Sequence, residues 1–480
     1  MLSPEIREFD LLPEDSSNLQ RNADVEKLEF NASDKEEKPV HHNHHDDVDG
    51  GYGWVIVFCA FLFLFSTWGV NSAFGIYFAE YLRNNTFEGA TKMDYAYIGG
   101  ISFGVGLFSG PLIHFIHGKI GTHATILIGN CIQFTAIMLA SYATKLWHLY
   151  LTQGLLQSYG LAFISLPAIP LVSPWFHKKR VLASGLSVMG SGAGGVVFTM
   201  GMYKIMEVRS VHWALRAQAI ISAALVIIGV LLVKTKKHAS VFTPIDVPTL
   251  KCVGFWILCL YYVTCMFGYV IVLYSMANVA SSLGYSQHQG AIVATMVQVG
   301  FCYGRPLIGY ISDKLGPATV TAFCYYMGCI FTLGMLIPAR NYATLIMLGL
   351  LEGTFIGAIF PTTAPITARL VGLHRLNVAF CMLWMFVGAA SIFAEPIGLS
   401  ITPKNHNVVD PGLYQNTAIF AGCAFFVCAT AALLMRGYII ARDVEMAKNH
   451  LDPSETDPLS VSVRPGEVFA HLFAWPAKRA

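Results

Sequence analysis

The stretch KTKKHASVFTPIDVPTLKC, residues 234–252, decides how this chain is organised. It gathers Lys234, Lys236, Lys237, Lys251, Pro244 and Pro248 in a sequence that is otherwise strongly apolar. Clustered like charges and prolines do not continue a buried helix, so the stretch reads as a polar linker. On either side the apolar residues fall into long runs. Those before it lie near 53–82, 96–117, 122–142, 146–173, 181–205 and 213–233. Those after it lie near 253–280, 288–312, 317–338, 343–368, 376–401 and 414–438. About 20 apolar residues in a helix cross the ~30 Å of a bilayer's hydrocarbon. Inside lipid every backbone group must be satisfied internally, which helices achieve. The alternating stretches of about 10 residues that mark a membrane β-barrel are missing. The reading is an all-α membrane protein with 12 transmembrane helices in two six-helix bundles.

Composition agrees. Of 480 residues, 55% are hydrophobic and 12% charged, whereas a soluble domain is about a quarter charged. Lys+Arg number 31 against 29 Asp+Glu, a balance that argues against a basic nucleic-acid binder. The 11 cysteines fall almost entirely in apolar runs, without a C-x-x-C pair or zinc spacing, and read as small packing residues. Residues 1–48 are polar, with too little apolar content to bury a core, so a disordered cytoplasmic tail is expected. No cleavable leader is visible, and the run from Trp54 would itself direct insertion. The expected layout is then a bundle over 49–233, the linker over 234–252, a second bundle over 253–440 and a cytoplasmic tail over 441–480. With the N-terminus inside, Lys119, Lys178, Lys179, Arg180, the linker lysines, Lys314, Arg369 and Arg375 fall in inner loops. Fewer basic residues fall outside, so both termini are expected in the cytoplasm. Asn84-Asn85-Thr86 would then be an external glycosylation sequon.

Two turns echo each other across the linker. Pro111-Leu112-Ile113 is followed by Lys119-Ile120-Gly121, and Pro306-Leu307-Ile308 by Lys314-Leu315-Gly316. The second copy reads Gly309-x-x-x-Asp313-x-x-Gly316, where an Asp can cap the next helix or hold a basic neighbour. The first copy has Gly118 in place of that Asp. This second copy resembles the short loop signature of the major facilitator superfamily. Paired halves of this kind are a layout of secondary transporters.

Two further motifs narrow the resemblance. Asp49-Gly50-Gly51-Tyr52-Gly53-Trp54 enters the first span, and Trp175-Phe176-His177-Lys178-Lys179-Arg180-Val181-Leu182-Ala183-Ser184-Gly185 enters the fifth. They are similar to the two signatures of the monocarboxylate transporter (porter) family, the second with Trp175 where a Tyr is usual. Together with Phe65-Ser66-Thr67-Trp68-Gly69, the style resembles the fungal branch of that family, which includes a riboflavin transporter. Physically, Asp49 suits a helix start, the glycines permit close packing, and Trp54 suits the interfacial belt. Gly50, Gly51, Trp54, Lys179, Arg180, Asp49 and Asp313 are expected to hold or switch the inner ends.

Arg305 lies well inside the eighth span, just before Pro306. A buried Arg is costly and usually faces a cavity or a partner, and its planar fork suits a carboxylate or phosphate. The resemblance implies contact with a substrate carboxylate. A structural pairing with Glu352 or Glu395 is the other reading. The chain departs from the proton-coupled lactate carriers at two places: Phe301 stands where they have an Asp, and Ser72, beside Asn71, where they have a Lys. The usual lysine–aspartate proton route is thereby lost, and a larger solute held by hydrogen bonds and stacking fits better. Arg305, Asn71, Ser72 and Phe301 are the candidate substrate-binding residues. Glu352 and Glu395 are candidates for proton coupling, because a carboxylate in an apolar helix must pair with a base or take up a proton. Asn71, Gln153, Gln157, Asn278 and Gln298 can join helices as readily as bind solute. Trp68, Tyr77, Tyr159, Tyr303 and Trp384 offer faces for a flat ring, although most such residues simply pack.

Other signals are weaker. His41, His42, His44, His45, Asp46 and Asp47 have the composition of a metal site but fall in the polar tail, where a solvated stretch is the ordinary reading. Gly190-Ser191-Gly192-Ala193-Gly194-Gly195 imitates a nucleotide fingerprint within the fifth span, with no strand before it. No metal or cofactor is assigned, and no nucleophile–base pair marks an enzyme. The expectation is a secondary transporter that moves a small organic solute, monocarboxylate-like or riboflavin-like, by alternating access, with protons as a second partner. It would act as a monomer in the plasma membrane, with a vacuolar or other internal membrane left open. The alternative is a transporter-fold nutrient sensor without substantial flux, against which the short, featureless tails argue.

Overall fold

The computed structural model describes residues 50–234, 243–402, 412–450, 457–461 and 463–473. Asp49, Lys236, Lys237 and the His41–Asp47 cluster lie outside the described residues. Among the described residues the secondary structure is helical, without a strand.

Among the described residues, eleven helices are long and apolar enough to cross a membrane. The twelfth span emerges at a break. One continuous helical stretch, Gly110–Ala140, turns sharply at Gly121, whose φ of 81° and ψ of 171° are not helical. Residues 110–120 therefore complete the span begun by Lys92–Phe108, and residues 122–140 form the next. The membrane helices are α1 (Gly53–Arg83), α2 (Lys92–Phe108, extended by residues 110–120), α3 (residues 122–140), α4 (Leu146–Trp175), α5 (Arg180–Val208) and α6 (Val211–Leu232). After the linker come α7 (Val253–Ser282), α8 (Gln287–Leu315), α9 (Pro317–Leu336), α10 (Tyr342–Val371), α11 (Leu376–Ser400) and α12 (Gln415–Lys448).

The two echoed turns share one backbone device. Gly121 between α2 and α3 has φ 81°, and Gly316 between α8 and α9 has φ 93°. A side chain there would be strained in the left-handed region, so the final glycine of each Lys-x-Gly ends one span and starts another. At the opposite end, helix starts use side-chain caps. Thr91 and Asp94 form a reciprocal box on α2, and Ser286 and Gln289 do so on α8.

Two seams join the halves: α5 packs on α8, and α2 packs on α11. Small residues make both close. A β-carbon on Gly388 of α11 would lie 2.5 Å from the Gly104 carbonyl oxygen of α2, and one on Gly185 of α5 would lie 2.6 Å from the Arg305 carbonyl oxygen. Without a hydrophobic driving force between helices in lipid, such backbone approach is what association rests on. A short linker helix, Val247–Lys251, precedes α7, and a tail helix, Pro465–Ala470, packs on α12.

Candidate functional site

At the linker end, three elements build one cluster. Trp54 at the start of α1 meets Phe176 edge-on, with ring centroids 5.0 Å apart, and Tyr52 lies 6.1 Å from Trp175. Gly53 leaves the room that Phe176 occupies, since a β-carbon there would stand 3.1 Å from its ring. The Tyr52 hydroxyl donates to the Leu232 carbonyl at the end of α6 (2.7 Å), and the Lys234 ammonium lies 4.4 Å from the Tyr52 ring centroid. The two sequence signatures thus pack against each other. Gly51 supplies a left-handed turn of φ 56° before α1. Lys178 and Lys179 are exposed, and the Arg180 guanidinium donates to the Phe176 carbonyl at 3.0 Å.

Asp313 reaches across to the other half. The next helix, α9, starts directly after the Gly316 turn, and the Asp313 carboxylate instead caps α5 in the other half. Its two oxygens accept from the Val181 and Leu182 amides at 3.0 and 2.9 Å. Those amides belong to the first turn of α5, where unpaired N–H groups and the helix dipole favour a carboxylate. The bond ties the C-terminal half to the N-terminal half at the linker end.

Deeper in, Arg305 is 1% exposed. Neither Glu352 nor Glu395 pairs with it. Its guanidinium donates to the Val188 carbonyl of α5 at 2.8 Å and to the Ser191 hydroxyl. The charge also lies over two aromatic faces, 4.2 Å from the Phe301 centroid and 4.7 Å from that of Phe360, an arrangement that stabilises a desolvated cation. Phe301, one turn back on the same helix, forms the floor beneath Arg305, and Tyr269 of α7 stacks on it at 5.6 Å. Around this group lies a small cavity of about 10 Å³, bordered by Trp68, Asn71, Ser72, Phe103, Ser191 and Gln298 among others. That is room for about one water. Three buried donors here have no acceptor: Arg305 Nε, Trp68 Nε1 and, packed behind Trp68, Trp384 Nε1.

Asn71 is already engaged across the halves. It accepts from Ser102 of α2 at 2.8 Å and donates to the Tyr274 hydroxyl of α7 at 3.3 Å. The Ser72 hydroxyl donates back to the Trp68 carbonyl at 2.9 Å. Beyond Ser72, towards the end of the molecule opposite the linker, a second cavity of about 360 Å³ opens. Both halves line it, with Phe74, Phe78 and Tyr203 from one and Tyr274, Asn278 and Glu395 from the other. Ser72 and Gln298 border both cavities.

The two carboxylates occupy different surroundings. Glu352 is enclosed in the C-terminal half, where one oxygen accepts from Thr332 of α9 at 2.7 Å, and it lines neither cavity. Glu395 is 6% exposed and faces the larger cavity. Of the other aromatic candidates, Tyr77 donates to Gln218 at 2.6 Å inside the N-terminal half, Tyr159 meets Ser109 at 3.3 Å, and Tyr303 is 47% exposed on the outside. Sequence reasoning missed Phe360, Tyr269, Tyr274 and Ser191 as neighbours of the site. Ser191 carried a signal: it sits in the small-residue run 190–195 that lets α8 approach α5 closely.

Two six-helix halves about a polar linker, sealed at one end and open at the other, are matched by the family model described as Major Facilitator Superfamily over residues 56–256 and 258–476. The chain belongs to the Major Facilitator Superfamily. Within the superfamily it is 41% identical over 434 residues to the probable transporter MCH2 of Saccharomyces cerevisiae, a match spanning 89% of this chain and 91% of that protein. It is 25% identical to the rat monocarboxylate transporter 13, over 80% of this chain and 89% of the relative. These relatives fit the monocarboxylate transporter-like branch. Among solved structures, the Escherichia coli fucose:proton symporter FucP aligns with a TM-score of 0.60 at 14% identity, covering 80% of this chain and 99% of FucP. The proton:xylose symporter XylE aligns with a TM-score of 0.65 at 12% identity, covering 81% and 96%. At such identities the likeness is one of fold. The chain is a multi-pass membrane protein and a secondary transporter of the major facilitator type.

Proposed function

We propose that this transporter moves a small organic solute with acceptor oxygens on a flat or apolar body, a monocarboxylate or a riboflavin-like molecule, by alternating access of the two halves to a site centred on Arg305. The observation that carries the reading is the unpartnered Arg305 Nε, buried beside Trp68 Nε1 among aromatic faces. Buried donors without acceptors are costly in the empty protein and are relieved by a ligand that supplies oxygens. Asn71, Ser72 and Phe301 border that centre, and the larger cavity of about 360 Å³ falls within the roughly 300–1,000 Å³ usual for small-molecule sites. A closed linker end and an open far end are the two gates that alternating access requires. The excess of Lys and Arg at the linker end favours a cytoplasmic linker and cytoplasmic termini, and the plasma membrane is the membrane proposed, with a monomer as the working unit.

Uptake into vesicles holding the purified protein tests this. The panel is labelled lactate, pyruvate and riboflavin, with and without an inward proton gradient, and Arg305→Ala is the control. Saturable uptake of at least one member, lost in Arg305→Ala, is the expected result. Saturable uptake unchanged in Arg305→Ala overturns the assignment of the centre. Absence of flux for every member removes both solute classes.

A further inference from the structure

The geometry points to Glu395 as the proton-binding group whose neutralisation permits the far end to close, and it rests on the alternating-access reading above. Three observations converge. Glu395 is buried to 6% exposure, yet its Oε2 has no hydrogen-bond partner while the side chain faces the larger cavity. It sits on the moving seam: it belongs to α11, but a β-carbon on Gly99 of α2 would lie 3.1 Å from Oε2 and 3.1 Å from the Phe74 ring of α1. The N-terminal half therefore offers this oxygen a glycine and an aromatic ring, neither of which donates to it. Finally, Tyr274 borders the same cavity as Glu395 and receives the Asn71 amide, which in turn accepts from Ser102. This run of polar groups crosses between the halves and reaches the border of the Arg305 cavity through Asn71.

The consequence follows from the cost of burying charge. With the cavity open, water can reach an ionised Glu395 from its cavity side, while Oε2 stays buried beside Gly99. Closing the far end brings α1 and α5 against α7 and α8, whose residues line the cavity, and removes that water. A sealed, unpaired carboxylate costs several kcal/mol, of order the ~3–5 kcal/mol seen when a buried ion loses its partner. A neutral acid costs far less and brings an O–H donor. In the proposed step a hydronium ion in the open cavity passes one proton to the Glu395 carboxylate: one O–H bond of the hydronium breaks, one O–H bond forms on the carboxyl group, and a water molecule is left behind. Each closure would then carry one proton with the solute. The groups that face Glu395 do not replace this proton. Tyr274 on α7 and Tyr414 at the entry to α12 are hydroxyls; Gln298 on α8 and Thr199 on α5 are uncharged. The cavity's own charges are Glu80, Arg83 and Lys92, with Arg83 3.9 Å from Glu80. His114 and His117 of α2 lie lower on the same seam, beside Cys381 of α11. Glu352 has the Thr332 hydroxyl and no cavity, so it does not meet the same requirement.

Spin labels on the full-length protein in lipid nanodiscs test this without any solute. Glu88 and Asn341 are exposed at the far end of the two halves and suit the labels. Lowering the pH from about 8 to about 5, across the carboxylate and histidine range, is expected to shift the wild-type distance distribution towards short separations. Glu395→Gln is expected to populate the short separations at both pH values, and Glu352→Gln to follow the wild type. A wild-type pH response in Glu395→Gln overturns the proposal. If that variant does not fold, carbodiimide labelling of the wild type decides, because the reagent adds to protonated carboxyl groups in apolar surroundings. Modification of Glu395 that falls as pH rises supports the assignment, and an unmodified Glu395 at low pH overturns it. In the vesicle assay, Glu395→Gln is expected to lose gradient-driven accumulation, about tenfold per pH unit for one proton per solute, while solute exchange persists. A Glu395-dependent pH response without flux of lactate, pyruvate or riboflavin would sink the solute reading and leave this one standing. Flux with an unaltered gradient response in Glu395→Gln would do the reverse.

Discussion

At the linker end the two halves meet largely through backbone: the Asp313 carboxylate on the Val181 and Leu182 amides, and Gly185 against the Arg305 carbonyl. At the far end they face each other through side chains around a cavity of about 360 Å³. The first kind of contact is short and directional, so it is fully made or absent. The second is a set of rings and hydroxyls that can slide, hydrate or close on a solute. Small shifts become large changes where packed elements have two discrete arrangements, and under the proposed alternating access the linker end is the region suited to switch in that way. On the proposed reading, specificity is set at the far end and centre, and commitment at the linker end.

Substitutions that attack the contrast should rank accordingly. Gly388→Leu, which forces a side chain into the Gly104 carbonyl, should be the most damaging. Overpacking of a tight seam costs about 1–3 kcal/mol, so a lower thermal midpoint of the detergent-solubilised protein and loss of uptake are expected; a midpoint like the wild type's would mean the α2–α11 seam is looser than its geometry. Asp313→Ala comes next. Removing the cap should cost the closed linker end about 0.5–2 kcal/mol, read as faster reaction of a cysteine placed at Ser184 with an impermeant maleimide, with unchanged labelling disproving the gate. Trp68→Phe then tests the centre. If Nε1 awaits a ligand oxygen, apparent solute affinity should fall about five- to tenfold, the worth of roughly 1 kcal/mol; unchanged affinity would assign the indole to packing alone. Tyr52→Phe should have the smallest effect, about 0.5–1.5 kcal/mol of stability for one lost hydrogen bond to Leu232, with transport kinetics unaltered.

Much of the fold was legible in the sequence because membrane helices obey one strong rule: an apolar run long enough to span must satisfy its backbone alone. The twelve runs followed from that, and the paired Lys-x-Gly turns mark where two pairs of them join. The second and third spans were separated correctly by the glycine in the turn, where helix continuity alone merges residues 110–140. The site was legible only in part. Arg305 stood out because a buried cation is rare, and Ser72 and Phe301 because they depart from a familiar pattern. Phe360, Tyr269 and Tyr274 did not stand out, since one aromatic residue in an apolar run resembles any other until the helices are assembled. The partner of Asp313 was hidden for a related reason: which helix start its carboxylate reaches, Val181 and Leu182 in the other half, emerges only once the helices are assembled.

One acceptor of Arg305 is a main-chain carbonyl, that of Val188. No point substitution removes a carbonyl, so mutation cannot readily delete this half of the contact. The other half, the Ser191 hydroxyl, is open to change. A lineage could therefore vary position 191, or the rings around it, and explore new cargo while the arginine keeps its anchorage. The division gives the carrier a fixed pivot and an adjustable lining, a ready route by which one scaffold diversifies into many without first losing its footing.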